Sequence, residues 1–196
     1  MPTTTLRTVI GLGQEPAVLA DSTLILIDYQ NTYVGGVLEL DGWRQALDAG
    51  ADLLARAREA GATVIHVIND GGEGSPYDIR AEIGRIHPSV APAEGERVVV
   101  KQAPDSFVGT DLGELVDAAG HRDVVIAGFM THMCVAFTTA GAFLRGDRPT
   151  VVASACASRP LESGGTELSA AQVHRGALAT IGDLYGVVVE TPADLG

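Results

Sequence analysis

The feature that most constrains this chain is a series of six short apolar runs, each separated from the next by a longer connecting stretch. They are TLILID (23–28), TVIHVIN (63–69), RVVVK (97–101), DVVIAG (123–128), PTVVAS (149–154) and GVVVE (186–190). All are rich in Val and Ile, and several are apolar throughout rather than alternating. Strands of that kind are covered on both faces, as in a parallel sheet between helical layers. Four of the connections carry helical spacing: 42–61, 110–120, 134–146 and 169–186. Gly61, Gly120 and Gly146 stand where C-caps belong, and Ser169 and the Thr110–Asp111 pair where N-caps belong. The pattern predicts a three-layer α/β/α, Rossmann-like fold, with a mostly parallel six-stranded sheet and right-handed crossovers.

Composition narrows the function. The chain has 196 residues, 46% of them hydrophobic, which suits one domain spanning 1–196 with residues 1–20 as an N-terminal extension. Its formal charge of −12 disfavours nucleic acid and anionic membrane as partners. No run is long enough to span a bilayer, and no signal peptide is visible. Two cysteines without a CxxC predict a reduced, cytoplasmic protein. The stretch from Asp70 to Glu96 shows no clear helix. A connection of that length is more often a binding loop, a lid or an interface than filler.

In parallel sheets, ligands bind beyond the carboxyl ends of the strands. The first apolar run closes on Asp28, the third on Lys101, and the fourth leads through GFMTHMC to Cys134. Packing does not explain apolar runs that each close on a lone charge, because a buried charge is costly unless it is paired. The three residues suit acyl transfer. A thiol at the start of a helix, beside an ammonium, is expected to have a lowered pKa. An aspartate can carry its proton to a leaving amine. The turn before the helix can supply N–H donors for an oxyanion.

Three motifs in this order, LIDYQN, VVVKQAPDSFVGTDL and GFMTHMCVAFTTAGAFLRG, resemble the isochorismatase-like cysteine hydrolases. That family includes nicotinamidases, N-carbamoylsarcosine amidases and streptothricin hydrolase-like enzymes. The resemblance implies Asp28 as general acid and base, Lys101 as its charge partner and Cys134 as nucleophile. It also implies a non-proline cis peptide at or near Met130, and an oxyanion hole built from the Met130 and Cys134 N–H groups. It suggests a homo-oligomer, a dimer or tetramer. One departure matters: the metal-binding D-x-H of nicotinamidases is missing from INDGGEGSPYD. No metal or other cofactor is therefore expected.

The leading expectation is hydrolysis of a small amide, carbamoyl or lactam C–N bond through a thioester. The alternatives are enol-ether hydrolysis of the isochorismatase type, a binding or redox-sensing protein on the same scaffold, and a metal-assisted hydrolase using His66, His87 or His132. Gln30, Asn31, Tyr33, Phe107 and His132 are candidate substrate contacts by position. Asp70 and His87 could line a pocket from the long loop. Cys156 reads as a buried, inert thiol.

Overall fold

The computed structural model describes residues 4–196. All six apolar runs form strands of one sheet: β1 (Ser22–Ile27), β2 (Thr63–Asn69), β3 (Arg97–Lys101), β4 (Asp123–Phe129), β5 (Arg148–Ala157) and, numbered by chain order, β8 (Val187–Val189). The order is β3-β2-β1-β4-β5-β8 and every pairing is parallel. β1 is buried at all six positions, as expected of a strand covered on both faces.

The four expected helices are α2 (Trp43–Ala60), α3 (Leu112–Ala119), α4 (Ala136–Arg145) and α5 (Ala170–Thr180). Gly61, Gly120 and Gly146 end α2, α3 and α4 in the left-handed conformation, where a side chain would be strained. Ser169 opens α5 with a full capping box to Gln172. Asp111 stands at the N-cap of α3 without a capping bond of its own. The Thr110 hydroxyl instead accepts the Leu112 N–H.

The sequence does not return to a single edge of the sheet. From β1 it runs outward to β2 and β3, then crosses back to β4 on the other side of β1. Right-handed crossovers in opposite directions place α2 on one face and α3 and α4 on the other. Chain order thus reverses between β1 and β4, where their carboxyl ends open a crevice. Gly128 permits this juncture. It lies beside Ile27 in the β1–β4 register, with φ of 141°, and a Cβ there would fall 2.0 Å from the Ile27 carbonyl oxygen.

Two features were not evident from apolar runs. Residues 161–168 form a hairpin of β6 (Leu161–Ser163) and β7 (Thr166–Leu168). Its signal was Gly164-Gly165, both at positive φ, a pair that favours tight two-residue turns. The N-terminal segment carries a short helix, α1 (Leu6–Val9). The buried Arg7 guanidinium donates to the Leu184 and Gly13 carbonyls, fastening the segment to the end of the last helical stretch. Residues 1–3 of the expected extension lie outside the described residues. Among the described residues no helix is long and apolar enough to cross a membrane.

Candidate active site

Asp28 is the first residue beyond β1, and it turns the chain there. Its φ is 52°, the one positive φ outside glycine among the described residues. Aspartate tolerates this region better than most side chains, yet the conformation still carries strain. The Asp28 N–H donates to the Val67 carbonyl of β2 at 2.8 Å, and the Asp28 carbonyl accepts the Gln30 N–H at 2.7 Å. Lys101 closes β3, two strands away. Its stem crosses the end of β2, where Asn69 is its register partner. Cys134 sits in a wide π-helical turn, Thr131–Val135, that runs directly into α4. The peptide bond from Phe129 to Met130 is cis.

These elements bring the three side chains together. Lys101 Nζ lies 2.8 Å from Asp28 Oδ2 and donates to Cys134 Sγ at 3.2 Å. Asp28 is 0% exposed, Lys101 1% and Cys134 8%, so Cys134 is the least buried of the three. The Asp28–Lys101 contact is an ion pair with poor hydrogen-bond alignment. Neither carboxylate oxygen accepts a regular hydrogen bond among the described residues. A fully buried carboxylate with open lone pairs is able to take a proton.

Burial raises the Asp28 pKa more than Lys101 lowers it, so this carboxylate is a stronger base than an ordinary one. Burial also works against the Lys101 ammonium, but Asp28 and Cys134 outweigh it and hold the charge. For Cys134 the structure corrects the expectation of a lowered pKa. Burial, then the Asp28 carboxylate, push the thiol up to about 12, and Lys101 offsets only part of this. These influences favour the protonated thiol at Cys134.

The other candidates divide by position. Tyr33 is 1% exposed and its hydroxyl lies 3.0 Å from that of Tyr77. Gln30 is fully buried. Its amide donates to the Asn69 and Gly84 carbonyls and accepts the Asn69 N–H, so it pins the long loop rather than facing a substrate. Asn31 does the same with the Glu82 carbonyl. The Phe107 ring lies under the Arg145 guanidinium, and the preceding Ser106 donates its N–H to Thr138 Oγ1, four residues past Cys134. His132 Nδ1 lies 3.0 Å from Ser158 Oγ and ties the cysteine turn to the end of β5.

Neither His66 nor His87 stands with His132. His66 Nε2 meets Glu96 at 2.9 Å, beside the Arg58–Glu96 pair, and His87 Nδ1 accepts the Ser89 N–H. Asp70 accepts from Gly72 and pairs with Arg80. Cys156 is buried, with its thiol pushed up to about 12 chiefly by burial, in keeping with an inert role. Tyr77 is the residue that reading the sequence missed. It lies in the stretch without periodicity, and only the folded loop brings it to Tyr33.

An open parallel α/β sheet, with a carboxylate, an ammonium and a thiol meeting at its switch point, defines a hydrolase-type site. The Isochorismatase domain model matches residues 22–184, and the chain belongs to that family. A secreted isochorismatase effector of Verticillium dahliae is 31% identical over 94% of this chain and 96% of its own length. A maleamate amidohydrolase of Pseudomonas putida is 32% identical, covering 73% of this chain and 72% of its own. The crystal structure of an isochorismatase from Pseudomonas putida KT2440 superposes with a TM-score of 0.95 at 36% identity, covering all of both chains.

Proposed function

We propose that this protein hydrolyses the C–N bond of a small amide or carbamoyl compound through a thioester on Cys134. The observation that carries the reading is the position of Lys101, which joins Asp28 at 2.8 Å and Cys134 at 3.2 Å. As the sulfur attacks the carbonyl carbon, its proton passes to Asp28. The carbonyl electrons move onto oxygen, and the Met130 and Cys134 N–H groups are the donors proposed to receive the oxyanion. Collapse of that intermediate breaks the C–N bond while Asp28 protonates the departing nitrogen. Asp28 then draws a proton from water, which attacks the thioester; collapse releases the acid, and the departing Cys134 sulfur takes that proton back from Asp28. Lys101 remains an ammonium throughout. Its charge compensates whichever of Asp28 and Cys134 is anionic.

The amidohydrolase among the relatives supports this class of reaction without identifying the substrate. The test is ammonia release across a panel of small amides, with mass spectrometry for an acyl adduct on Cys134. The unaltered protein is expected to turn over part of the panel, and Cys134→Ala to lose at least about a thousandfold. Undiminished turnover by Cys134→Ala would remove the nucleophile from the mechanism.

A further inference from the structure

We infer that His174, on α5, is a positioning residue for the hydrolysis: it holds Thr131 and thereby fixes where the Met130 N–H stands relative to Cys134. The inference rests on the thioester mechanism proposed above. The two proposed oxyanion donors, the Met130 and Cys134 N–H groups, stand at the two ends of residues 130–134. Their separation therefore depends on the path of the backbone between them. That path is the wide turn Thr131–Val135, which has no capping side-chain hydrogen bond of its own.

Two hydrogen bonds tie the first residues of this turn to other elements. Thr131 Oγ1 lies 2.8 Å from His174 Nδ1, and His132 Nδ1 lies 3.0 Å from Ser158 Oγ. Thr131 is fully buried, and His174 is the one side-chain partner of its hydroxyl among the described residues. A buried hydroxyl left without a partner is costly, so folding favours this bond. His174 itself is carried within α5, shortly after the Ser169–Gln172 capping box that orders the start of that helix. Burial chiefly lowers the pKa of its ring, Arg175 adds to this and Glu190 opposes it. The ring is neutral at neutral pH, with one nitrogen able to accept the Thr131 O–H.

Packing alone does not fix the turn from this side. His174 and Ser158 both line an open cavity of about 490 Å³ between the starts of α2 and α5. The two residues that hold the turn thus border open space instead of a close-packed layer. Removing the Thr131 bond leaves the first residue of the turn free to shift, and catalytic groups tolerate displacements of only ~0.5 Å. Thr131 follows Met130 directly, so of the two bonds it is the one to His174 that bears on the oxyanion donors.

The experiment measures kcat and KM on the panel amide that the unaltered protein turns over fastest. His174→Leu keeps the bulk, Thr131→Val keeps the shape, and each removes the bond. Each should lower kcat about tenfold with KM little changed, within the hundredfold that a misplacement of about 1 Å costs. The double variant should be no slower than the slower single one, because both changes remove the same bond. His174→Asn, whose amide falls near Nδ1, should restore most of kcat. His174→Gln, whose amide falls near Nε2, should restore little. Iodoacetamide should alkylate Cys134 in His174→Leu at an unaltered rate, since alkylation develops no oxyanion. Unchanged kcat in His174→Leu, additive losses in the double variant, equal rescue by Asn and Gln, or alkylation that falls as far as hydrolysis each overturns the role of His174. The Asn and Gln pair carries the test if the Leu variant does not fold. Turnover of no amide by the unaltered protein overturns the hydrolase reading, and this inference with it.

Discussion

Lys101 Nζ stands 2.8 Å from Asp28 Oδ2 with both side chains wholly out of solvent, although their strands are separated by β2. Neither charge has water to fall back on, so each depends on the other. Lys101→Met should therefore destabilise the fold by about 3–5 kcal/mol, because it strands a buried carboxylate. Lys101→Met combined with Asp28→Asn should recover most of that loss while remaining inactive. Denaturant unfolding of the two variants measures both effects. Equal stability of Lys101→Met and the unaltered protein would contradict the pairing.

The protonation state of Cys134 follows from the same geometry. With its thiol pushed up to about 12, alkylation by iodoacetamide should rise with pH through the whole range from neutral to alkaline, without levelling off near pH 8.5 as for a free cysteine. Asp28→Asn removes a group that raises the thiol and leaves Lys101, which lowers it. The pKa should fall, and alkylation at neutral pH should become faster in a variant that has lost hydrolysis. Slower alkylation of Asp28→Asn would show that the carboxylate does not oppose the thiolate.

Gly128 joins the two strands that carry Asp28 and Cys134. A methyl group there would meet the Ile27 carbonyl oxygen at 2.0 Å, at a φ that side chains rarely adopt. Gly128→Ala should cost about 3 kcal/mol or more, as strained backbone and a forced separation of β1 from β4 add together. Thermal unfolding reads the loss. At a temperature where the variant is still folded, its activity should also fall, since Ile27 directly precedes Asp28. A variant with unaltered melting temperature would show that the juncture yields easily.

Much of this molecule was legible before folding. The unbroken Val and Ile runs, the glycines after α2, α3 and α4, and the serine before α5 are local signals, and each gave its element to within a few residues. Asp28, Lys101 and Cys134 stood out because each follows a run that would otherwise close on an apolar residue. Gln30 and Phe107 were also chosen by neighbourhood, but chain distance does not say where a side chain points. Gln30 turned to the long loop, and the Phe107 ring packs under the Arg145 guanidinium.

Periodicity and caps depend on residues within a few positions of one another, so the chain itself determined the strands, the helices and the order of its polar strand ends. Through-space distance and dielectric depend on residues far apart. The placement of β1 between β2 and β4, the reach of Lys101 across β2 and the seat of Tyr77 beside Tyr33 were decided only by packing. Tertiary structure likewise decided that the Cys134 thiol is pushed up rather than down, because burial of the cysteine and then the Asp28 charge outweigh the pull of the nearby ammonium.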